Sequence, residues 1–349
     1  MSRYDKIILK FANIYVKFVD RNVALRQFEE IAERGTCAPM VIYGPEGCGK
    51  TALLKQIAHL FREADYKVVY VNPLENDIHK AVCCSDDVNE LVIETVKDLL
   101  SIYFGDIVKA LAYAGLAVLS RILRRFSKPK VAVLLDDVFQ AVGLESTSIL
   151  SYVKSALNLI EYPPQDYDKV IIVITTSEGM SREEIGRHRW ADLYAMWNMT
   201  KEGLYELYCQ IPGSKPPFEQ VWKWTGGNPW ILAKLYENNW NVEILINKIV
   251  ESRRLLSFLR TLNEEERKIL TKAVEDVDYL WHSLDKCTSL VRDLVRLNLI
   301  MDSLPMREHY LWIDSPPPEK DQELGIGKHM AWQTPLHREA IRKALQLLS

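Results

Sequence analysis

Cysteine is scarce in this chain: six residues in 349 (Cys37, Cys48, Cys83, Cys84, Cys209 and Cys287), scattered and without a CxxC pair. That usage excludes a disulfide scaffold and a CxxC zinc site, and it fits a reduced, cytoplasmic protein. Neither sign of charge is in excess. A formal net charge of −3 argues against a basic nucleic-acid coat protein and against an acidic solvating tail. Long hydrophobic runs are missing as well. The longest apolar stretch, Ile107 to Leu123, contains Lys109 and Arg121 and is shorter than the roughly 20 residues of a membrane span. Lys6, Lys10 and Lys17 break up the first 20 residues, so no secretory core is expected there. There is no internal repeat and no low-complexity tract. Tryptophan is absent before residue 190, and all nine lie between Trp190 and Trp332. What remains, 48% apolar and 26% charged residues, describes a folded chain of two to three domains at about 150 residues each.

The first half alternates short apolar runs with helical patterns. Ala38 to Tyr43 is a run stopped by Gly44, and a helical pattern follows from Lys50 to Ala64. Lys67 to Val71 ends at Asn72-Pro73, Val131 to Leu135 runs into Asp136-Asp137, and Val170 to Ile174 runs into Thr175-Thr176-Ser177. Continuous rather than alternating Val/Ile/Leu runs predict strands covered on both faces, hence a mostly parallel sheet. Residues 87–128 read as helix throughout, and Ile107 to Leu123 as a buried or partner-covered helix. The basic cluster Arg121, Arg124, Arg125, Lys128 and Lys130 reads as a solvated helix end, with an anionic partner as the sharper alternative. After Thr200 the pattern is helical to about residue 300. Asn263 is an expected N-cap ahead of Glu264, Glu265 and Glu266. The apolar segments Leu299-Ile300-Met301 and Tyr310 to Ile313 then suggest a short hairpin after helices, as in a winged helix.

Residues 44–51 read GPEGCGKT and match the phosphate-loop pattern G-x-x-x-x-G-K-[ST] in full. Glycines allow backbone N–H groups to turn inward around phosphates, Lys50 supplies a point charge, and the Thr51 hydroxyl is suited to Mg²⁺. The motif lies between an apolar strand and a helix, so the helix N-terminus also faces the anion. The expected nucleotide-binding set is Gly44, Pro45, Glu46, Gly47, Cys48, Gly49, Lys50, Thr51 and Ala52. Cys48 reads as a small filler, or else as a thiol whose modification blocks binding. Asp136 ends a buried parallel strand, where a carboxylate points into the ligand crevice, and it is assigned to Mg²⁺ together with Thr51. Asp137 is assigned to the attacking water, against the alternative of a turn or N-cap. Aspartate reaches less far than glutamate, which predicts slow turnover. Thr175 and Thr176 are expected to contact the γ-phosphate or the water, and Arg187 or Arg189 to reach developing phosphate charge, in cis or from a neighbouring subunit. The spacing of His59, His79 and His282 does not mark a metal site.

These residues resemble the archaeal P-loop ATPases of the STAND class, relatives of the AAA+ and origin-recognition ATPases. The segment Phe18-Val19-Asp20-Arg21 resembles the family's stretch ahead of the phosphate loop that helps hold adenine, which implies adenine contacts for Val19 and Arg21. GPEGCGKT and VAVLLDD resemble Walker A and B, and IIVITTSEG resembles the sensor strand. Asp192 to Thr200 resembles the last core strand and the entry to a helical domain. Gly226-Gly227-Asn228-Pro229 resembles the Gly-x-Pro motif, which implies a nucleotide contact for Pro229; by composition alone it is a loop between helices. The resemblance implies an α/β fold: a parallel-sheet P-loop NTPase core (1–200), a small helical lid domain (201–252) and a winged-helix domain (253–349). In the family an arginine follows the sensor strand directly, where this chain has Ser177-Glu178-Gly179. A winged-helix histidine can reach the β-phosphate in the family; the resemblance implies that role for His337, in Thr334-Pro335-Leu336-His337, where the local motif departs from the family's.

The function so implied is a slow ATP-hydrolysing switch that uses ATP/ADP and Mg²⁺. Nucleotide state controls the packing of lid and winged helix on the core, and the output is contact with a protein partner or self-association. A DNA-associated ATPase or transcription regulator is the first alternative. Charge does not favour it, since acidic and basic residues balance over 253–349 and Thr288 to Leu297 offers only Arg292 and Arg296, with Asp293 between them. A phosphotransferase is the second. No membrane association is expected.

Overall fold

The computed structural model describes residues 5–75, 77–143, 145–177 and 179–348. Glu178 lies outside them, as does the side chain of His79. The described residues form ten strands: β1 (Ile8–Phe11), β2 (Ile14–Lys17), β3 (Met40–Tyr43), β4 (Lys67–Val71), β5 (Val82–Cys84), β6 (Lys130–Asp136), β7 (Lys169–Thr176), β8 (Asp192–Ala195), β9 (Ile300–Met301) and β10 (Ala331–Trp332). The contacts divide the chain into two compact units. The first comprises Met1–Ile7, Asn22–Tyr43 and Lys50–Tyr194, and the second Ile8–Arg21, Gly44–Gly49 and Ala195–Ser349.

The first unit is built on a six-stranded sheet of order β5-β4-β6-β7-β3-β8. The four strands read from continuous apolar runs, β3, β4, β6 and β7, pair in parallel. The short β5 is antiparallel to its neighbour β4. Their interiors are buried at every position, because helices cover both faces. The register decides what the carboxyl edge presents: Asp136 lies opposite Thr175, and Thr176 opposite Tyr43. The helical stretch expected over 87–128 is two helices, Asn89–Ile102 and Ile107–Arg125, the second capped by the Asp106 carboxylate on the Lys109 N–H. From Ala110 to Leu123 the second of these helices is buried on nearly all sides within its own unit. It approaches the sheet closely at Gly115, where a Cβ would come within 2.4 Å of Leu135. Among the described residues no helix is long and apolar enough to cross a membrane.

The second unit is largely helical. The strands β1 and β2 pair antiparallel, and Val16 joins Met199, Leu204, Leu207 and Leu232 in one apolar cluster. A larger cluster gathers the helices between Pro229 and Arg296 together with the final helix, Pro335–Gln346. The expected cap is present as a full capping box: the Asn263 side chain accepts from the Glu266 N–H, and the Glu266 carboxylate accepts from the Asn263 N–H. Asn263→Ala should therefore lower unfolding free energy by about 1 kcal/mol, read as a shift of the urea midpoint with unchanged slope.

One pairing corrects the sequence expectation. The partner of Ile300–Met301 is Ala331–Trp332, across a long intervening segment, and not Tyr310 to Ile313. That apolar run is used elsewhere. Trp312 forms a parallel bridge to Ala195, and the Ile313 N–H donates to the Ala195 carbonyl at 2.8 Å. An apolar run states that a segment will be buried, but not against which strand.

Candidate functional site

In the first unit the polar residues that end adjacent strands converge. Asp136 is fully buried, and each carboxylate oxygen is engaged. The Thr175 hydroxyl donates to Oδ1 at 2.6 Å, while the Tyr70 hydroxyl and the Asn72 amide donate to Oδ2 at 2.9 and 3.3 Å. These three donors are neutral, so they orient the carboxylate without cancelling its charge. Burial first, and then the Asp136 charge, push the Tyr70 phenol far above its ordinary range, which keeps it a donor. Tyr70 and Asn72 were not singled out in the sequence. Asn72 reads there only as the end of a strand, because the pairing of β4 with β6 is a tertiary fact.

Asp137 has φ 49° and ψ 32°, a left-handed conformation that is costly for a residue with a side chain. It precedes the short helix Val138–Val142 but its side chain does not cap that helix. The carboxylate instead accepts from the Ser177 hydroxyl at 3.3 Å. Burial, and next the neighbouring Asp136, push the Asp137 carboxyl above the usual carboxylate range, and Lys50 opposes them. Lys50 and Thr51 open the helix Lys50–Glu63, with Lys50 only 6% exposed and Thr51 and Ala52 half-buried. Thr176 is buried at the end of β7.

The arginines beyond the sensor strand lie towards the surface. Arg187 is exposed and pairs with Glu184 at 3.5 Å, and Arg189 is exposed beside His188 and Trp190, whose rings stack on each other. Arg182 lies closer to the sheet end, its guanidinium 5.2 Å from the Tyr43 ring centre. Elsewhere in this unit the ligand atoms of Asp5, His59 and Glu63 lie within 4.8 Å of one another, a juxtaposition the sequence spacing hid. His59 has a local partner in Glu63 at 3.4 Å, one helical turn on.

The second unit holds the loop Gly44–Gly49, and its own residues grip three successive loop carbonyls. The Asn228 amide donates to the Glu46 carbonyl at 2.9 Å, the Trp230 N–H to that of Gly47 at 3.3 Å, and the Arg21 Nη2 to that of Cys48 at 2.7 Å. A peptide unit is planar and trans, so fixing a carbonyl aims the next residue's N–H the opposite way. The N–H groups of Gly47, Cys48 and Gly49 are thereby oriented from behind. Cys48 is buried, and its N–H donates to the Pro45 carbonyl at 3.2 Å, so within the loop this N–H already has an acceptor.

Glu46 is held by its other groups as well: its N–H donates to Gln333 Oε1 at 2.9 Å, and its carboxylate accepts from Arg253 at 2.6 Å and Asn298 at 3.4 Å. The glycines are needed for approach. A Cβ on Gly44 would lie 2.0 Å from the Met196 carbonyl oxygen, and one on Gly47 2.4 Å from the Trp230 Cβ. Asn228 has two tasks: it caps the helix Pro229–Glu237 by accepting from the Ile231 N–H, and its amide donates to the loop. Pro229 follows it, its ring 3.8 Å from where a Cβ on Gly49 would stand. Val19 is half-buried, whereas Arg21 is buried with its guanidinium already committed to protein partners.

A phosphate-loop sequence that opens a helix, in a chain whose parallel sheet ends on a buried carboxylate, marks the class of P-loop nucleoside triphosphatases. Residues 18–235 match ATPase_2, an ATPase domain predominantly from Archaea. More than half of the chain is matched, and the protein belongs to that family; it is a nucleotide-binding, ATP-hydrolysing P-loop enzyme. Among solved structures it is similar to AMPPCP-bound DnaA from Aquifex aeolicus, at 16% identity and a TM-score of 0.34, over 80% of this chain and 84% of that one. No curated protein matches the sequence.

Proposed function

We propose that the protein is a slow ATP-driven switch whose state is read through the phosphate loop. The supporting observation is the grip on Gly44–Gly49. Residues as distant in sequence as Asn228, Arg253, Asn298 and Gln333 all bind Glu46, so a ligand that alters the loop alters their partner directly. A ligand shifts such an equilibrium only by the difference in its affinity for the two states, and a γ-phosphate present in ATP and absent in ADP can supply that difference.

In this reading the loop N–H groups and Lys50 hold the phosphates. The Thr51 hydroxyl and the Asp136 carboxylate are the hard oxygen donors Mg²⁺ takes, and the neutral partners of Asp136 leave its charge available to a cation. Bound there, Mg²⁺ would neutralise charge on the β- and γ-phosphates. Asp137, raised toward a proton-accepting range, receives the proton of the water that attacks the γ-phosphorus as the bridging P–O bond breaks. Thr175 orients Asp136, and Thr176 is assigned to the phosphate or the water. The arginine role stays with Arg187 or Arg189, which being exposed would act on a neighbouring copy as readily as in cis. The helices after Thr200 and the module ending in Pro335–Gln346 serve as lid and winged helix, and their output is a protein contact.

The test is a nucleotide exchange. Replacing ADP by a non-hydrolysable ATP analogue should change the fluorescence of the tryptophans, with Trp230, whose N–H meets Gly47, as the principal reporter. Identical emission and scattering curves in the two states would refute the switch. DNA retention at low salt would favour the DNA-associated alternative instead.

A further inference from the structure

The guanidinium of Arg21 is buried in the second unit and held by one carboxylate and two backbone carbonyls. Its Nη1 donates to Asp314 Oδ2 at 2.9 Å, and its Nη2 donates to the carbonyls of Cys48 at 2.7 Å and Trp197 at 2.9 Å. Both members of the ion pair are buried, at 3% side-chain exposure each. The backbone is strained to bring them together. Asp20 and Arg21 both have φ 63° and Asp314 has φ 69°, three left-handed residues with side chains at one place.

Each partner is fixed by an independent contact. Asp20 accepts from the Thr200 N–H at 3.1 Å. Asp314 follows Ile313, whose N–H donates to the Ala195 carbonyl. Ala195 leads directly into Met196 and Trp197, which supply the close approach to Gly44 and the second carbonyl for Arg21. The contacts form a closed circuit from the loop at Cys48, through Arg21 and Asp314, back along Ala195 to Trp197. The charge of Arg21 survives burial because Asp314, and after it Asp20, offset the desolvation.

We infer that Arg21 and Asp314 are a positioning pair for the phosphate loop: the pair holds the Cys48 carbonyl, so that the Gly49 N–H is aimed for a nucleotide phosphate. This reassigns Arg21 from the adenine contact its motif implies, and it gives a role to Asp314, which has no motif at all. The loop's competence then depends on a residue in the C-terminal part of the chain, 266 positions beyond Cys48. The part that concerns phosphate rests on the proposed nucleotide function; the part that concerns loop order does not.

The experiment reads the two separately in the full chain. Asp314→Asn keeps shape and removes charge. The double variant Arg21→Met with Asp314→Leu replaces the buried pair by apolar groups of similar volume, a change that often preserves folding. Alkylation of Cys48 by iodoacetamide, followed by peptide mass against the exposed Cys37, Cys83 and Cys209, reports loop order. Calorimetry with Mg·ATP reports affinity. In either variant that melts cooperatively, Cys48 labelling should rise at least tenfold and the ATP Kd should rise at least tenfold.

A folded variant with Cys48 still protected overturns the inference, whatever its affinity. So does one with loosened Cys48 and wild-type affinity. If the wild type ignores ATP while the variants expose Cys48, the nucleotide reading fails and the loop-ordering pair stands.

Discussion

Lys50→Ala is expected to abolish nucleotide binding in calorimetry, whereas Asp137→Asn should bind ATP normally and release phosphate roughly 100- to 10,000-fold more slowly. The contrast follows from position. Lys50 is almost fully buried at the first residue of the loop helix, so its removal takes away the one full positive charge the motif supplies for the phosphates. Asp137 is held off helix-capping duty in a left-handed conformation, and its carboxyl is raised by burial and by Asp136. A structural aspartate at a helix start would cap; this one is aimed elsewhere at a cost in backbone energy. Asparagine keeps the shape and the Ser177 contact but cannot accept a proton. Normal phosphate release by Asp137→Asn would remove Asp137 from the chemistry, and unchanged ATP affinity in Lys50→Ala would remove the loop.

The second large effect is acid sensitivity from His337. This residue is buried, its Nδ1 lies 2.8 Å from the Thr334 hydroxyl, and burial first, then the Arg253 charge, lower its pKa to about 3. An unfolded histidine titrates near 6.5. Between those values the unfolded chain binds the proton and the folded chain does not, so stability rises with pH and is lost as pH falls from 6.5 toward 3. Integrated over that window, one such group amounts to up to about 5 kcal/mol. Urea unfolding at a series of pH values should show this acid limb in the wild type and a flatter one in His337→Gln. Parallel limbs would mean that carboxylates, and not this histidine, set the acid response.

Much of the first unit was legible because its signals are local. The apolar runs at β3, β4, β6 and β7 each end on polar residues, and the loop motif has a fixed spacing. The capping box at Asn263 is legible for the same reason. What escaped depends on pairing between distant segments. Tyr70 and Asn72 matter only because β4 lies beside β6, and Trp312 only because it reaches Ala195 in place of Met301. Arg21 shows the limit of a motif. The pattern marks the position, but the partners that determine its work, Cys48, Trp197 and Asp314, are scattered over most of the chain.

The second unit is assembled from discontinuous pieces, with Ile8–Arg21 and Gly44–Gly49 supplied from the amino-terminal part of the chain. A gene fragment beginning near residue 195 would lack Val16, and would leave Leu204, Leu207 and Leu232 without part of their cover. Such a fragment should be poorly soluble when expressed alone. Dissecting this protein into working parts therefore calls for point substitutions, or for fusing the two short amino-terminal pieces back on, rather than for simple truncation.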